Sequence, residues 1–249
     1  MKRTETRELT FRLIYSTEIQ KNMAEEQKDF YKDLISRYNE PAKLLRVGCG
    51  TGLFEHLLAR EGKDVTGIDH YPEMLRSANL RRRNQLMSIR FFQMSYLDMA
   101  RFLGKGFYNI ISVLDNRIIF IHDTTLLRKF FFDCKQLLSD GGSVVLDLSN
   151  FKIYSFTQKV TLPERSSLRV KLNSTVSLRD DGKYVFSQNL ENGSGKILPV
   201  MEDDLVYPLT DSQIEEFAKE AGFSRIEFYS SWKKEPFTGS EPSLKCVIS

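Results

Sequence analysis

The stretch LLRVGCGTGLFEHLLAREGKDVTGID, residues 44–69, decides how this chain is read. It opens on a short apolar run, Leu44, Leu45 and Val47, of the length of a buried strand. Gly48, Gly50 and Gly52 follow at alternate positions. FEHLLAREG then has the pattern of a helix that Gly62 ends in the left-handed conformation. DVTGID is a second strand, and it finishes on Asp69. A strand, a glycine-rich turn and a helix present backbone N–H groups and close backbone approach to a ligand. An acid at the end of the next strand binds a ribose diol through both carboxylate oxygens. Asp69 lies 21 residues after Gly48, close to the roughly 20 that such a pair takes. A dinucleotide fingerprint needs a third glycine where Leu53 stands, so the spacing here is G-x-G-x-G instead.

Outward from this stretch, strands and helices alternate. Residues 17–39 read as a helix, with Ile19, Met23, Phe30, Leu34, Ile35 and Tyr38 at helical spacing and Pro41 preventing continuation. PEMLRSANLRRRN is a helix with Pro72 in its first turn, and IRFFQMS and FYNIISVL are strands three and four. From Asp123 to Asp140 an apolar helical face runs through Leu126, Leu127, Phe130, Phe131, Cys134, Leu137 and Leu138, with Asp123 as N-cap and Gly141-Gly142 as the stop. SVVLDL is strand five. Apolar strands alternating with helices mean a parallel α/β sheet covered on both faces.

The pattern changes over residues 155–205. Leu168, Val170, Leu172, Val176 and Leu178 fall on even positions, and Asp181-Gly182 and ENGSG (191–195) are hairpin turns. This predicts an antiparallel insert after strand five. Afterwards the α/β pattern resumes. Thr210 with Gln213 is a capping box, Leu209 with Ile214 a hydrophobic staple, and RIEFYS and LKCVIS are two closing strands.

The bulk composition bounds the function. The chain has 249 residues, 41% hydrophobic and 28% charged, with a net charge of +3, which suits one globular domain over 1–249. So small a net charge gives no footing for nucleic acid or an anionic membrane as partner. Arg81-Arg82-Arg83 reads as a solvated helix end, favoured by the dipole. Cys49, Cys134 and Cys246 form no metal-ligand spacing, so no metal and a reducing, cytoplasmic location are expected. No apolar stretch approaches the roughly 20 residues needed to span a bilayer, and the N-terminus lacks the apolar core of a signal peptide.

GCGTG (48–52), Ile68-Asp69 followed by PEML (72–75) and Ala78, FYNIISVL, DGGSVVLDL, and LTDSQIEEFAKEAGF before two strands together resemble the class I S-adenosylmethionine-dependent methyltransferases. The resemblance runs from about residue 30 to the end, apart from the insert. It implies a Rossmann-like three-layer α/β sandwich, with a mostly parallel seven-stranded sheet and an antiparallel last strand. It implies S-adenosylmethionine as donor and S-adenosylhomocysteine as product. The donor residues so implied are Gly48, Cys49, Gly50, Thr51 and Gly52 beside the methionine part, Asp69 on the ribose, and His70 and Met74 flanking the adenine. Ser95, Tyr96 and Leu114 complete that set. Three positions depart from the family pattern: Arg46, Ser95 and Asn109 stand where acids are usual. Arg46 is expected to swing away from the donor's ammonium or to pair with an acid such as Glu55, so that Arg46→Asp leaves donor binding unchanged or tighter.

Methyl transfer needs an acceptor lone pair held about 3 Å from an already activated carbon, with a base where the acceptor carries a proton. Polar groups at the ends of strands four and five are therefore the candidates. Asp115 and His122 are the catalytic candidates, and Tyr15, Asn116, Asp147 and Asn150 the acceptor-binding ones. Asp115 is equally a loop carboxylate or helix cap by sequence alone. The leading reading is a methyltransferase acting on a small molecule, with the insert as acceptor lid or homodimer surface. An RNA or protein methyltransferase and a non-catalytic donor-binding protein are the alternatives. The insert is expected to govern the acceptor and to leave the donor site alone.

Overall fold

The computed structural model describes residues 18–39, 41–81, 87–156, 159–167 and 170–249. Tyr15, Arg82, Arg83 and Leu168 lie outside the described residues, as do the side chains of Ile19 and Met23.

Helix α1 (Glu18–Ile35) is followed by β1 (Lys43–Val47), α2 (Leu53–Arg60), β2 (Asp64–Asp69), α3 (Pro72–Leu80) and β3 (Ile89–Gln93). A four-residue helix α4 (Met99–Phe102) leads to β4 (Tyr108–Val113), and a 3-10 turn (Arg117–Phe120) leads to α5 (Thr124–Leu137) and β5 (Leu138–Ser149). The insert holds β6 (Val160–Thr161), β7 (Arg165–Ser166), β8 (Val170–Leu178), β9 (Tyr184–Asn192) and β10 (Ile197–Val206). Helix α6 (Asp211–Glu220), β11 (Ile226–Tyr229) and β12 (Ser243–Ile248) close the chain.

Seven strands form one sheet in the order β11-β12-β5-β4-β1-β2-β3. The pairs from β3 to β5 are parallel, and β12 runs antiparallel to both of its neighbours. Strand alternation splits the core between the two faces. Leu44, Ile110, Val145 and Val247 pack with Phe30, Tyr31 and Leu34 of α1 and Phe54 and Leu58 of α2. Leu45, Ile111, Val144 and Leu146 pack with Phe130 and Phe131 of α5 and Ile214 and Phe217 of α6. Phe132, the helix-edge member of the FFF run, is exposed. The insert forms a second sheet, β10-β9-β8-β6, with β7 also on β8. Val170, Leu172 and Val176 belong to the same core as α5 and α6, so the insert packs onto the main domain.

Local signals sit where the sequence places them. Asp123 accepts from the Leu126 N–H, Pro72 is in the first turn of α3, and Thr210 and Gln213 make the reciprocal capping box. Two helix ends differ: α1 stops at Ile35, four residues before the expected limit at 39, and α5 also stops early. Helix α5 ends at Leu137, and Leu138 is already extended and paired with Tyr108. The N–H groups of Gly106 and Phe107 bond the carbonyls of Gln136 and Leu137, so the neighbouring chain ends the helix before the glycines are reached. Gly141-Gly142 instead lies within β5, whose register against β4 shifts between Tyr108 and Ile110.

Candidate functional site

The glycine turn is built for close approach. Gly48, Gly50 and Gly52 all have positive φ (72°, 56° and 69°), which side chains rarely adopt. A Cβ on Gly52 would lie 2.5 Å from the Phe91 ring, and one on Gly48 3.3 Å from the Arg117 side chain. The N–H groups of Gly48 and Cys49 bond the Ile68 carbonyl, and that of Gly52 bonds the Cys49 carbonyl. These groups serve the turn itself, which differs from the expectation that the loop offers them to a ligand.

Asp69 is held from two sides. The Gly50 N–H donates to Oδ2 at 2.9 Å and the Tyr71 N–H to Oδ1 at 3.0 Å. A carboxylate has about four lone-pair sites, so each oxygen keeps one for a further donor. Burial raises the Asp69 pKa, partly offset by those two backbone bonds. The carboxylate lines a cavity of about 710 Å³ over the ends of β1 and β2. Of the expected donor residues, Gly48, His70, Ser95 and Tyr96 also line it, together with Tyr71 and Met94. The far wall is Arg117, Phe120, Ile121 and His122, and the roof is Met201 and Asp203–Leu205 of β10. Burial, and then the charge of Arg165, lowers the Arg117 pKa to about 10.

Several expected donor residues do not line this cavity, Gly50 and Gly52 among them. Cys49, Thr51, Met74 and Leu114 are buried and do not line the cavity. Cys49 Sγ packs against Gly67, and Met74 is in the core with Ile68. Tyr71, with its ring centroid 3.7 Å from that of His70, lines the cavity, and Met74 does not. Asn109 is remote from the ligand end. Its amide takes the Lys43 N–H and donates to Ser139 at the opposite end of the sheet.

Arg46 is buried (7% exposed) between two acids. Its Nη2 donates to Asp115 Oδ2 at 3.3 Å, and its Nε lies 3.7 Å from Glu55. Nε and Nη1 have no hydrogen-bond acceptor, so the guanidinium is held mainly by charge. Burial works against its charged form, but Glu55 and Asp115 prevail and its pKa rises. Glu55, fully enclosed, has its own pKa raised by burial despite Arg46. Asp115 Oδ1 accepts from Arg165 of β7 at 3.4 Å, so the insert is tied to the main domain at this carboxylate.

Asp115 and Asn116 both have left-handed backbones (φ 61° and 60°), a strained pair of non-glycine residues. The Asp115 N–H bonds Asp147 Oδ2, and the Asn116 side chain takes the Ser149 N–H at 2.6 Å and donates to Ser149 Oγ. Asp115 and Asn116 of this turn line a second cavity of about 790 Å³ over the ends of β4, β5 and β12, while Arg117 lines the first. Asp147 also lines the second cavity and His122 the first, so the two catalytic candidates line different cavities. Asp147 is paired with Lys245 at 2.7 Å. Asn150 lines neither. Its amide donates to the carbonyls of Gly239 and Glu241 and its oxygen accepts from the Lys152 N–H, which pins the loop before β12.

Residues 44–142 match the protein family described as "Methyltransferase domain". That match covers less than half of the chain. It is 29% identical over 129 residues to a putative methyltransferase of Geobacillus sp. (strain WCH70), covering 51% of each chain. It is 30% identical over 109 residues to a ubiquinone biosynthesis O-methyltransferase of Erwinia tasmaniensis, covering 43% of this chain and 42% of that one. The chain thus spans about half the length of the curated relatives it matches. Its fold is shared with an S-adenosylmethionine-dependent methyltransferase from Clostridium acetobutylicum, at TM-score 0.74, 18% identity and 96% and 97% coverage. It is also shared with CalS10, an amino pentose methyltransferase from Micromonospora echinaspora, at TM-score 0.60, 18% identity and 90% coverage of both.

The cavity residues that sequence reasoning missed include Tyr71, Met94, Arg117, Phe120 and the β10 residues. Tyr71 and Met94 follow directly on β2 and β3, where a ligand-side residue is always a candidate. No local signal marks β10, which reaches the cavity only by folding back. Among the described residues no cluster of three or more potential metal ligands occurs and no helix is long and apolar enough to cross a membrane.

Proposed function

We propose that the chain transfers the methyl group of S-adenosylmethionine to a small-molecule acceptor, with the donor in the β1–β2 cavity and the acceptor in the β4–β5 cavity. The observation that carries this reading is Asp69, a carboxylate fixed by two backbone N–H groups at the rim of the first cavity beside Gly48. Its free lone pairs fit a ribose diol, and Gly48 lines the cavity beside it. His70, Tyr71, Ser95 and Tyr96 then flank the adenine, and Arg117 closes the methionine end.

When bound, S-adenosylmethionine supplies an electrophilic methyl on a sulfonium. The acceptor's lone pair bonds to that carbon as the carbon–sulfur pair returns to sulfur, and the acceptor's proton leaves to solvent. The chain's part is to hold and orient both molecules. Asp115, already bonded to Arg46 and Arg165, acts as a fixed negative group at the boundary and not as a free base. Support for a small acceptor comes from the size of the two cavities and from similarity to a ubiquinone biosynthesis O-methyltransferase and an amino pentose methyltransferase. Calorimetric titration tests the reading. One S-adenosylhomocysteine per chain is expected, and no heat up to saturating product rules the donor site out.

A further inference from the structure

The two cavities that flank the Asp115–Arg117 turn differ in chemistry. The first is walled by Val47, Ile68, Val113, Phe120 and Phe130 beside its few polar groups. The second is lined by five carboxylates, three cations and six serines, with Asn116 and Gln188. Its floor is the Asp147–Lys245 pair, both residues buried (4% and 6% exposed) yet facing the space. Two aromatic side chains line it, Phe186 and Trp232, and Lys245 Nζ lies 5.3 Å from the Trp232 ring centroid.

Resting on the assignment of this cavity to the acceptor, we infer that the acceptor is a small polyhydroxylated ring compound that carries a basic nitrogen or no charge. Three features lead there. An apolar acceptor or an isoprenoid tail would strip water from the serines and the ion pair and return no hydrogen bonds. A polyol returns them, since each hydroxyl both donates and accepts. A saturated ring lays its C–H face on the Trp232 ring while its hydroxyl edge meets Asp147, Lys245 and Gln188. Carboxylates outnumber cations in the lining, so an amine is attracted and an anionic acceptor repelled. The similarity to a ubiquinone-pathway enzyme therefore does not extend to this cavity's chemistry, whose lining suits a polar ring.

Trp232 is the chain's single tryptophan, so intrinsic fluorescence reports on this cavity. The full chain is titrated, with and without S-adenosylhomocysteine, with methyl 3-amino-3-deoxyglucopyranoside, methyl glucopyranoside, the methyl glycoside of glucuronic acid and a prenylated catechol. A saturable response to the first two is expected, with the amino glycoside favoured over the glucuronide and the catechol by roughly tenfold or more. The double variant Glu164→Gln, Glu235→Gln should narrow the preference for the amino over the neutral glycoside. Tighter binding of the catechol or the glucuronide, or no saturable response to either of the first two, overturns the inference. Calorimetry with S-adenosylhomocysteine on the same samples separates the two claims. Donor binding with the wrong acceptor preference defeats only the acceptor class. Absent donor binding defeats the methyltransferase reading, while the fluorescence still decides the chemistry of the cavity.

Discussion

Asp69 and Arg46 are both legible in the sequence, but the structure treats them differently. The Asp69 carboxylate is pre-oriented, so Asp69→Ala is expected to weaken S-adenosylhomocysteine binding by about ten- to a hundredfold, or roughly 1.5–3 kcal/mol, in calorimetry. Burial raises its pKa above 3.8, so the ionised acceptor of the ribose hydroxyls is lost at a higher pH than for an ordinary aspartate. Donor affinity should therefore fall as the solution is acidified from neutral, and Asp69→Asn should remove that part of the pH dependence. Arg46 is a structural charge. Taken from sequence, Arg46→Asp looks neutral or favourable for donor binding, but in the fold it sets a third acid beside Glu55 and Asp115. Arg46→Met and Arg46→Asp are expected to cost roughly 3–5 kcal/mol in chemical denaturation, because each leaves a buried carboxylate unpaired. Adding Glu55→Gln to Arg46→Met should recover part of that loss; no recovery would show that Glu55 is not the partner.

Between elements, β5 and β12 are joined by more than their backbone ladder. Asp147 and Lys245 are direct cross-strand partners and their side chains form the buried ion pair. Burial pushes the Asp147 pKa up, but Lys245 and Arg165 outweigh it and the net shift is downward. A carboxylate whose folded pKa is depressed stabilises the fold fully above its unfolded value, and that contribution is lost as pH falls through the lowered pKa. Lys245→Met should cost roughly 3–5 kcal/mol near neutral pH and flatten the acid limb of the stability curve. An unchanged midpoint in a urea melt would show that the pair contributes nothing. The same carboxylate takes the Asp115 N–H, so loss of Lys245 should also loosen the strained turn that lines both cavities.

Across the whole molecule the insert joins both cavities. Leu162, Arg165, Ser174 and Phe186 line the β4–β5 cavity, while Met201 and Asp203–Leu205 of the far strand roof the β1–β2 cavity. The sequence suggested that the insert serves the acceptor alone, whereas part of β10 lines the cavity proposed for the donor. The Tyr207 N–H bonds the Ile119 carbonyl, so β10 is pinned to the 3-10 turn beside the donor wall. Replacing Lys159 to Leu198 with a Gly/Ser linker strips β10 of its paired strand. The variant should bind S-adenosylhomocysteine about tenfold or more weakly, and unfold at a lower temperature because Val170, Leu172, Val176 and Phe186 leave the core. A folded variant with unchanged donor affinity would return the insert to the acceptor alone.

The order of strands and helices, the G-x-G-x-G turn and the place of Asp69 were determined by sequence alone. Each rests on local physics: apolar period, torsional freedom at glycine, and a strand of known length carrying its last residue to the ligand end. The partners of Arg46, the ties that commit Asn150 and Asn109 to the frame, and the end of α5 at Leu137 were decided by tertiary structure. So was the placing of Asp115 and His122 in the linings of different cavities. Sequence could not show these because a buried polar group takes whatever partner the packing brings within hydrogen-bond reach. Those partners come from segments such as Asp115, 69 residues from Arg46, and Gly239, 89 residues from Asn150.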